Sequence, residues 1–195
     1  MTTRTTERAP VDGLVLLDKP AGISSHDAVL AARRAIGERR IGHAGTLDPF
    51  ATGILVLCTG RATRLLAHLP DEPKHYEAVV QWGAETDTED LTGAVTVRAP
   101  VPDEHHVRAL LPRFVGALSQ VPPLYSAKRV GGQRAYEAAR AGVAVALAPV
   151  AIEVHALTID AWDGDRCRLQ VVCGGGTYVR SLARDIARAA GSAAH

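Results

Sequence analysis

Asp48 sits in the run Gly42-His43-Ala44-Gly45-Thr46-Leu47-Asp48-Pro49-Phe50-Ala51-Thr52-Gly53, which joins one carboxylate to a glycine-lined turn. Pro49 biases the residue before it away from helical geometry, so Asp48 is presented from a loop. Glycine leaves room for another group to approach closely. Arg33, Arg34, Arg39 and Arg40 precede the run, and Arg61 and Arg64 follow it. An acid in a positively charged loop points to a working carboxylate beside an anionic substrate; the plain alternative is an ordinary Asp-Pro turn. A second candidate centre is Gly174-Gly175-Gly176, followed by Arg180. A strand, a glycine hinge and a helix start can together hold an anion through backbone N–H groups, although any tight strand-to-helix turn could use such a triplet.

These residues need elements to position them. Gly13 to Leu17 reads as a short strand ending in the turn Asp18-Lys19-Pro20-Ala21-Gly22. Ser24 or Ser25 can cap a helix that runs to about Ile36, with Gly37 ending it. Val29, Ala32 and Ile36 then share its apolar face. Ile54 to Cys58 predicts a strand and Ala62 to Leu69 a short helix, followed by a strand from Tyr76 to Trp82. Val107, Leu110, Leu111, Phe114 and Val115 keep helical spacing. Val150 to Ile159 and Cys167 to Cys173 are β-rich and flank an Asp-Gly-Asp turn, which predicts a hairpin. The last helix runs from about Thr177 to Ala190. It carries an apolar row (Val179, Leu182, Ile186, Ala190) and a cationic row (Arg180, Arg184, Arg188), the latter expected to be largely a solvated face. Hairpins and helices together imply an α+β domain, a mixed, largely antiparallel sheet flanked by helices.

With 195 residues, 47% hydrophobic and 22% charged, the chain has the composition of one globular domain with a full core. No apolar run is long enough to span a bilayer, and polar, threonine-rich residues 1–12 read as a disordered tail without a secretory core. A cytoplasmic location is the expectation. Cys58, Cys167 and Cys173 lie in apolar stretches and suit buried, reduced thiols; no cofactor motif and no metal site is expected. The net charge of +1 hides an uneven distribution: residues 33–64 balance to +4, residues 128–140 to +3, and residues 71–104 to −7. Two basic stretches fit a nucleic-acid backbone, with the acidic stretch expected to face away from it.

Several separated segments resemble the TruB family of tRNA pseudouridine synthases, in that family's order. They are Asp18-Lys19-Pro20-Ala21-Gly22-Ile23-Ser24-Ser25, the Gly42 to Gly53 run continuing to Arg64, and Lys74-His75-Tyr76 with Gly83, Thr86-Asp87-Thr88 and Asp90. Pro122 to Lys128 with Gly132 and Tyr136-Glu137, and Cys173 to Arg180, complete the set. The resemblance covers roughly residues 13–195 and implies a pseudouridine synthase catalytic domain over that range.

The family's reaction breaks the N1–C1′ bond of uridine, turns the base and rejoins it through C5, with no net oxidation. It needs a carboxylate, a wall for the detached base and a route for a proton. The resemblance implies that Asp48 is the nucleophile, that Arg180 pairs with it, that Tyr76 stacks on the base and that Tyr178 braces the site. Attack at C1′, attack at C6 and assisted elimination all remain open. The resemblance further implies that His43 enters the RNA loop and fills the space left by an extruded nucleotide. Lys19, Arg61, Arg64, Lys128 and Arg129 are the remaining expected RNA-binding residues. Asp90 either supports Arg180 or ends a turn. The implied substrate is the T-loop (TΨC) uridine of tRNA, held by its T-arm and flipped out, with the enzyme acting as a monomer. The resemblance also leads one to expect a longer chain, ending in further catalytic-domain strands and an RNA-binding PUA domain. Three other readings stay open: a non-catalytic tRNA-binding or folding module (or inactive fragment), a guide-RNA-dependent synthase of the dyskerin type, and a phosphate binder using Gly174 to Gly176.

Overall fold

Strand β1 (Gly13–Lys19) alternates half-buried and exposed residues until it ends on buried Lys19. It pairs antiparallel with β3 (Gly53–Thr59), from Gly13 opposite Thr59 to Lys19 opposite Gly53. The short β2 (Ile41–His43) pairs with the other edge of β3, so the sheet order is β1-β3-β2. Helix α1 (Ser25–Ile36) starts at Ser24, whose side chain accepts from the Asp27 amide while Asp27 reaches back to the Ser24 amide. This reciprocal capping box satisfies two donors that have no partner within the helix. Gly37 ends the helix at φ 75°, a left-handed conformation that costs glycine little. Ala28 and Val29 of α1 pack with Ile41, Leu55 and Leu57 of the sheet, bordered by Val15, Leu17, Ala32 and Ile36. These elements belong to the first of two compact units in the computed structural model, Met1–Pro70 and Asp71–His195. The structure describes residues 11–69, 73–126 and 147–195, with the main chain alone at 129–130 and 133–134.

The short helix expected from Ala62 to Leu69 is a 3-10 helix, Gly60–His68. Thr63 Oγ1 donates to Gly60 O at 2.8 Å, a three-residue reach that matches the tighter winding.

In the second unit, β4 (Lys74–Gln81), β7 (Gly116–Gln120), β10 (Val150–Asp163) and β11 (Arg166–Cys173) form an antiparallel sheet in the order β4-β11-β10-β7. The predicted hairpin is β10–β11, turned at Gly164 with φ 57°. Two small ribbons, β5 (Ala84–Thr86) with β6 (Val95–Arg98) and β8 (Arg129–Val130) with β9 (Gln133–Arg134), complete the strands among the described residues. Helices α2 (Glu104–Leu110) and α3 (Val179–Ala189) cover the core, where Val107, Leu182, Ile186 and Ala187 meet Val80, Val154, Leu169 and Val171. The single helical pattern expected over Val107 to Val115 breaks at Leu110, and Leu111–Phe114 is a 3-10 turn. Pro112 has no N–H to donate to Arg108 O, so the α-helical ladder cannot continue. The antiparallel sheets with covering helices make the fold α+β, as the sequence predicts.

Candidate functional site

The Asp48 loop is fastened to the turn that follows β1. Ser25, 3% exposed, uses its hydroxyl twice on one residue: Oγ donates to Leu47 O at 3.0 Å and accepts from Leu47 N at 2.9 Å. Just beyond Asp48, Pro49 O accepts from Gly22 N at 2.8 Å. Lys19 is fully buried, and its ammonium donates to Pro20 O at 2.9 Å, Ile23 O at 2.8 Å and, at a longer 3.4 Å, Pro49 O. Three carbonyls for three N–H groups is what a buried ammonium requires. Burial pushes the Lys19 pKa down, and the negative charge of Asp48 opposes that shift. Asp48 itself is half-buried, and its carbonyl closes a turn by accepting from Ala51 N at 3.1 Å. The result is a carboxylate whose main chain is held on both sides.

Lys19 was expected among the RNA-contacting residues, and the structure corrects this. With no exposed surface and its donors turned to main-chain carbonyls, Lys19 supports the Asp48 loop from beneath. His43, half-buried at the end of β2, binds Gly45 O through Nδ1. A carbonyl only accepts, so Nδ1 carries the hydrogen in this contact. Arg61 is exposed but engaged, with Nε 2.6 Å from Asp12 Oδ2 and its amide 2.6 Å from Asp12 Oδ1. These two hydrogen bonds, main chain first, hold the Asp12 carboxyl below the usual carboxylate range. Arg64 is exposed on the 3-10 helix. Lys128 lies outside the described residues, and Arg129 is described only as main chain in β8.

The other catalytic candidates lie in the second unit. Tyr76 stands on β4 opposite Val171 and packs partly buried against the core. Tyr178 caps α3, and its main chain is clamped by Gln120: Tyr178 N donates to Oε1 at 2.9 Å, and Nε2 donates to Tyr178 O at 3.1 Å. Gln120 is 2% exposed. The Gly174 amide donates to Glu153 O at 2.9 Å, so two of the N–H groups an anion would have needed there are already engaged.

Arg180, the second residue of α3, donates Nη1 to Thr88 O at 2.6 Å and Nη2 to Tyr125 O at 3.0 Å. Its Nη1 also lies 3.8 Å from Asp90 Oδ2. Asp90 Oδ1 meanwhile accepts from Thr88 Oγ1 at 2.7 Å, Thr92 N at 2.8 Å and Thr92 Oγ1 at 2.5 Å. One oxygen therefore shapes the loop while the other faces the guanidinium. Asp90 does both things the sequence left open.

The arginine row of α3 is solvated only in part, and part of the acidic stretch packs against it. Arg184 is 6% exposed and pairs with Glu89; Arg188 makes two hydrogen bonds to Glu85, at 2.8 and 2.6 Å. The Glu85 hydrogen bond is also the chief reason that the Arg188 pKa is raised. Arginines four apart share a helix face, and this face meets the 85–90 segment, whose carboxylates pair with a buried Arg184 and with an Arg188 whose side chain is 58% exposed. Sequence reasoning missed Ser25 as a clamp, Gln120 and Glu89. For Ser25 a signal existed: two adjacent serines stood at the helix start, and only one was needed as the cap.

The family model described as TruB family pseudouridylate synthase (N terminal domain) matches residues 33–179. A tRNA pseudouridine synthase B from Bradyrhizobium diazoefficiens is 46% identical over 191 residues, covering 97% of this chain and 55% of that protein. The Bordetella avium protein of the same name is 43% identical over 190 residues, covering 95% of this chain and 78% of its own length. A chain in the crystal structure of a Cbf5–Nop10–Gar1 complex superposes with a TM-score of 0.70 at 27% identity, covering 94% of this chain and 46% of that one. This chain thus spans little more than half of some of the longer proteins it matches.

Proposed function

This chain belongs to the TruB family of pseudouridylate synthases, and on that premise we propose that it isomerises a tRNA uridine to pseudouridine, with Asp48 as nucleophile. The observation that carries the reading is the double fastening of the Asp48 loop through Ser25 and Gly22, which presents one half-buried carboxylate in a fixed main-chain setting. A group held this way loses little freedom on reaching the transition state. The substrate is the T-loop uridine, flipped from the T-arm and held by its phosphates on Arg61, Arg64, Lys128 and Arg129, with His43 filling the vacated space. Tyr76 supplies a face for the detached uracil, Tyr178 braces it, and Arg180 supplies positive charge. The N1–C1′ bond breaks, the C5–C1′ bond forms, the C5 proton leaves and N1 gains one, so the step is redox-neutral. Residues 13–195 supply the catalytic fold, working as a monomer in the cytoplasm.

The test is release of tritium from C5-labelled uridine in an unmodified T-arm stem-loop, with no guide RNA or other protein present. The wild-type chain is expected to release it, and Asp48→Asn to release none above background. Equal release by the two above background would refute Asp48 as the nucleophile; no release by the wild-type chain would leave a binding module, and release only with a guide RNA would point to the guide-directed class.

A further inference from the structure

Glu89 is the sole non-glycine residue with positive φ among the described residues, at 58°. Left-handed backbone is uncommon outside glycine and persists where the surroundings over-determine it. Here the surroundings are two side chains of α3. Ser181, with no exposed surface, donates Oγ to Glu89 Oε2 at 2.7 Å, and Arg184 pairs with Oε1. The Glu89 side chain is itself 13% exposed. The residues on either side of Glu89 are the ones that meet Arg180: Thr88 through its carbonyl and Asp90 through its carboxylate. Arg184 also donates Nη2 to Val121 O at 2.9 Å, as Arg180 donates to Tyr125 O at 3.0 Å. Two arginines one turn apart thus each bridge the 86–90 loop and the 121–125 segment. The inner bridge shares the left-handed residue that aims the outer one.

We infer that Glu89, locked by Ser181 and Arg184, is a positioning residue that fixes the direction of the Arg180 guanidinium. This rests on the reading that Arg180 serves the isomerisation. Glu89 touches no reacting atom; it acts by setting where Thr88 O and Asp90 Oδ2 stand. Without the lock the αL residue relaxes, the Thr88 carbonyl swings, and Arg180 loses its hydrogen bond to Thr88 O. Glutamate at a left-handed position, with a serine and an arginine at positions 181 and 184, is the pattern that carries the device in this sequence.

The deciding variants are Glu89→Gly, which accepts positive φ without strain but has no carboxylate, and Glu89→Gln, which keeps the size and an acceptor for Ser181 but drops the charge. In nitrogen-15 spectra of the full chain, assigned with Arg180→Lys, the wild-type Arg180 Nη hydrogens should resolve as separately held signals. In Glu89→Gly they should merge through rotation, and in Glu89→Gln they should broaden. In single-turnover isomerisation of the T-arm stem-loop, Glu89→Gly should lose about 10- to 100-fold in rate while RNA affinity stays put, the loss expected for a misplaced group. Held Arg180 signals in a folded Glu89→Gly chain would overturn the inference, whether or not the rate falls. If Glu89→Gly does not fold, Glu89→Gln decides on the same criterion. An inactive wild-type chain would instead refute the functional reading, and the spectra would still judge the lock.

Discussion

Ser25→Ala offers the most direct probe of how the Asp48 loop is held. The substitution deletes one oxygen from a buried position and with it both hydrogen bonds to Leu47, at 2.9 and 3.0 Å. Each such bond contributes about 1 kcal/mol net, and losing both leaves a main-chain donor and acceptor partly unsatisfied, so about 2 kcal/mol is the expected cost. The helix cap is untouched, because Ser24 and Asp27 perform it. The loss should therefore appear locally, as easier opening of the loop. Amide hydrogen exchange reads it residue by residue: the Leu47 amide should exchange about 30-fold faster, which is 2 kcal/mol converted at 1.4 kcal/mol per factor of ten. Amides in β10 and β11 should be unchanged. Single-turnover isomerisation should slow in parallel, since the looser segment carries Asp48. If Leu47 exchange changes by less than about threefold, or if β10 and β11 accelerate as much as Leu47, the clamp is not what fixes the loop.

Two further outcomes follow from burial. Desolvation pushes the Cys167 thiol up from 9.0 to about 11, so the folded chain keeps a proton that the unfolded chain loses above pH 9. That contribution is intact below pH 9 and is lost as pH rises to 11, about 3 kcal/mol in all at 1.36 kcal/mol per unit. Cys58 and Cys173 shift in the same direction for the same reason. Urea unfolding of Cys167→Ala across this range should show a flatter alkaline decline than wild type, and an equally steep one would count against the assignment. Gly93→Ala would place a methyl against Thr88 Oγ1 and Asp87 Oδ1, and 2.9 Å from Thr88 N. Main chain cannot yield as a flexible side chain does, so the variant should lose about 1–3 kcal/mol and disturb the Arg180 signals through Thr88. Wild-type stability and spectra would show that the 86–94 loop is more pliant than its contacts imply.

What the sequence revealed was what local chemistry controls. A serine cap at Ser24 or Ser25, the stop at Gly37, the hairpin at the Asp-Gly-Asp turn and the loop position of Asp48 all depend on residues within a few positions of one another. The clamps depend on distant partners. Ser25 meets Leu47 across 22 residues, Gln120 meets Tyr178 across 58, and Glu89 meets Arg184 across 95. No spacing rule connects them. The arginine row on α3 shows the same limit from the other side: its periodicity was plain, but whether it faced water or carboxylates depended on where the 85–90 segment lay. Lys19 was misread for a related reason, since lysine is rarely fully buried and only the fold supplies the three carbonyls that permit it.

The pairing along α3 has a consequence for how the protein would meet a polyanion. Arg184 and Arg188 are already neutralised by Glu89 and Glu85, so phosphates arriving at the surface displace no counterions from them. If the chain binds RNA as proposed, the salt sensitivity of that affinity counts other cations, among them the exposed Arg39, Arg40 and Arg64 of the first unit. The cationic sequence pattern of α3 is thus nearly silent as a long-range field, and the ionic-strength slope measures how many of the remaining arginines touch the backbone.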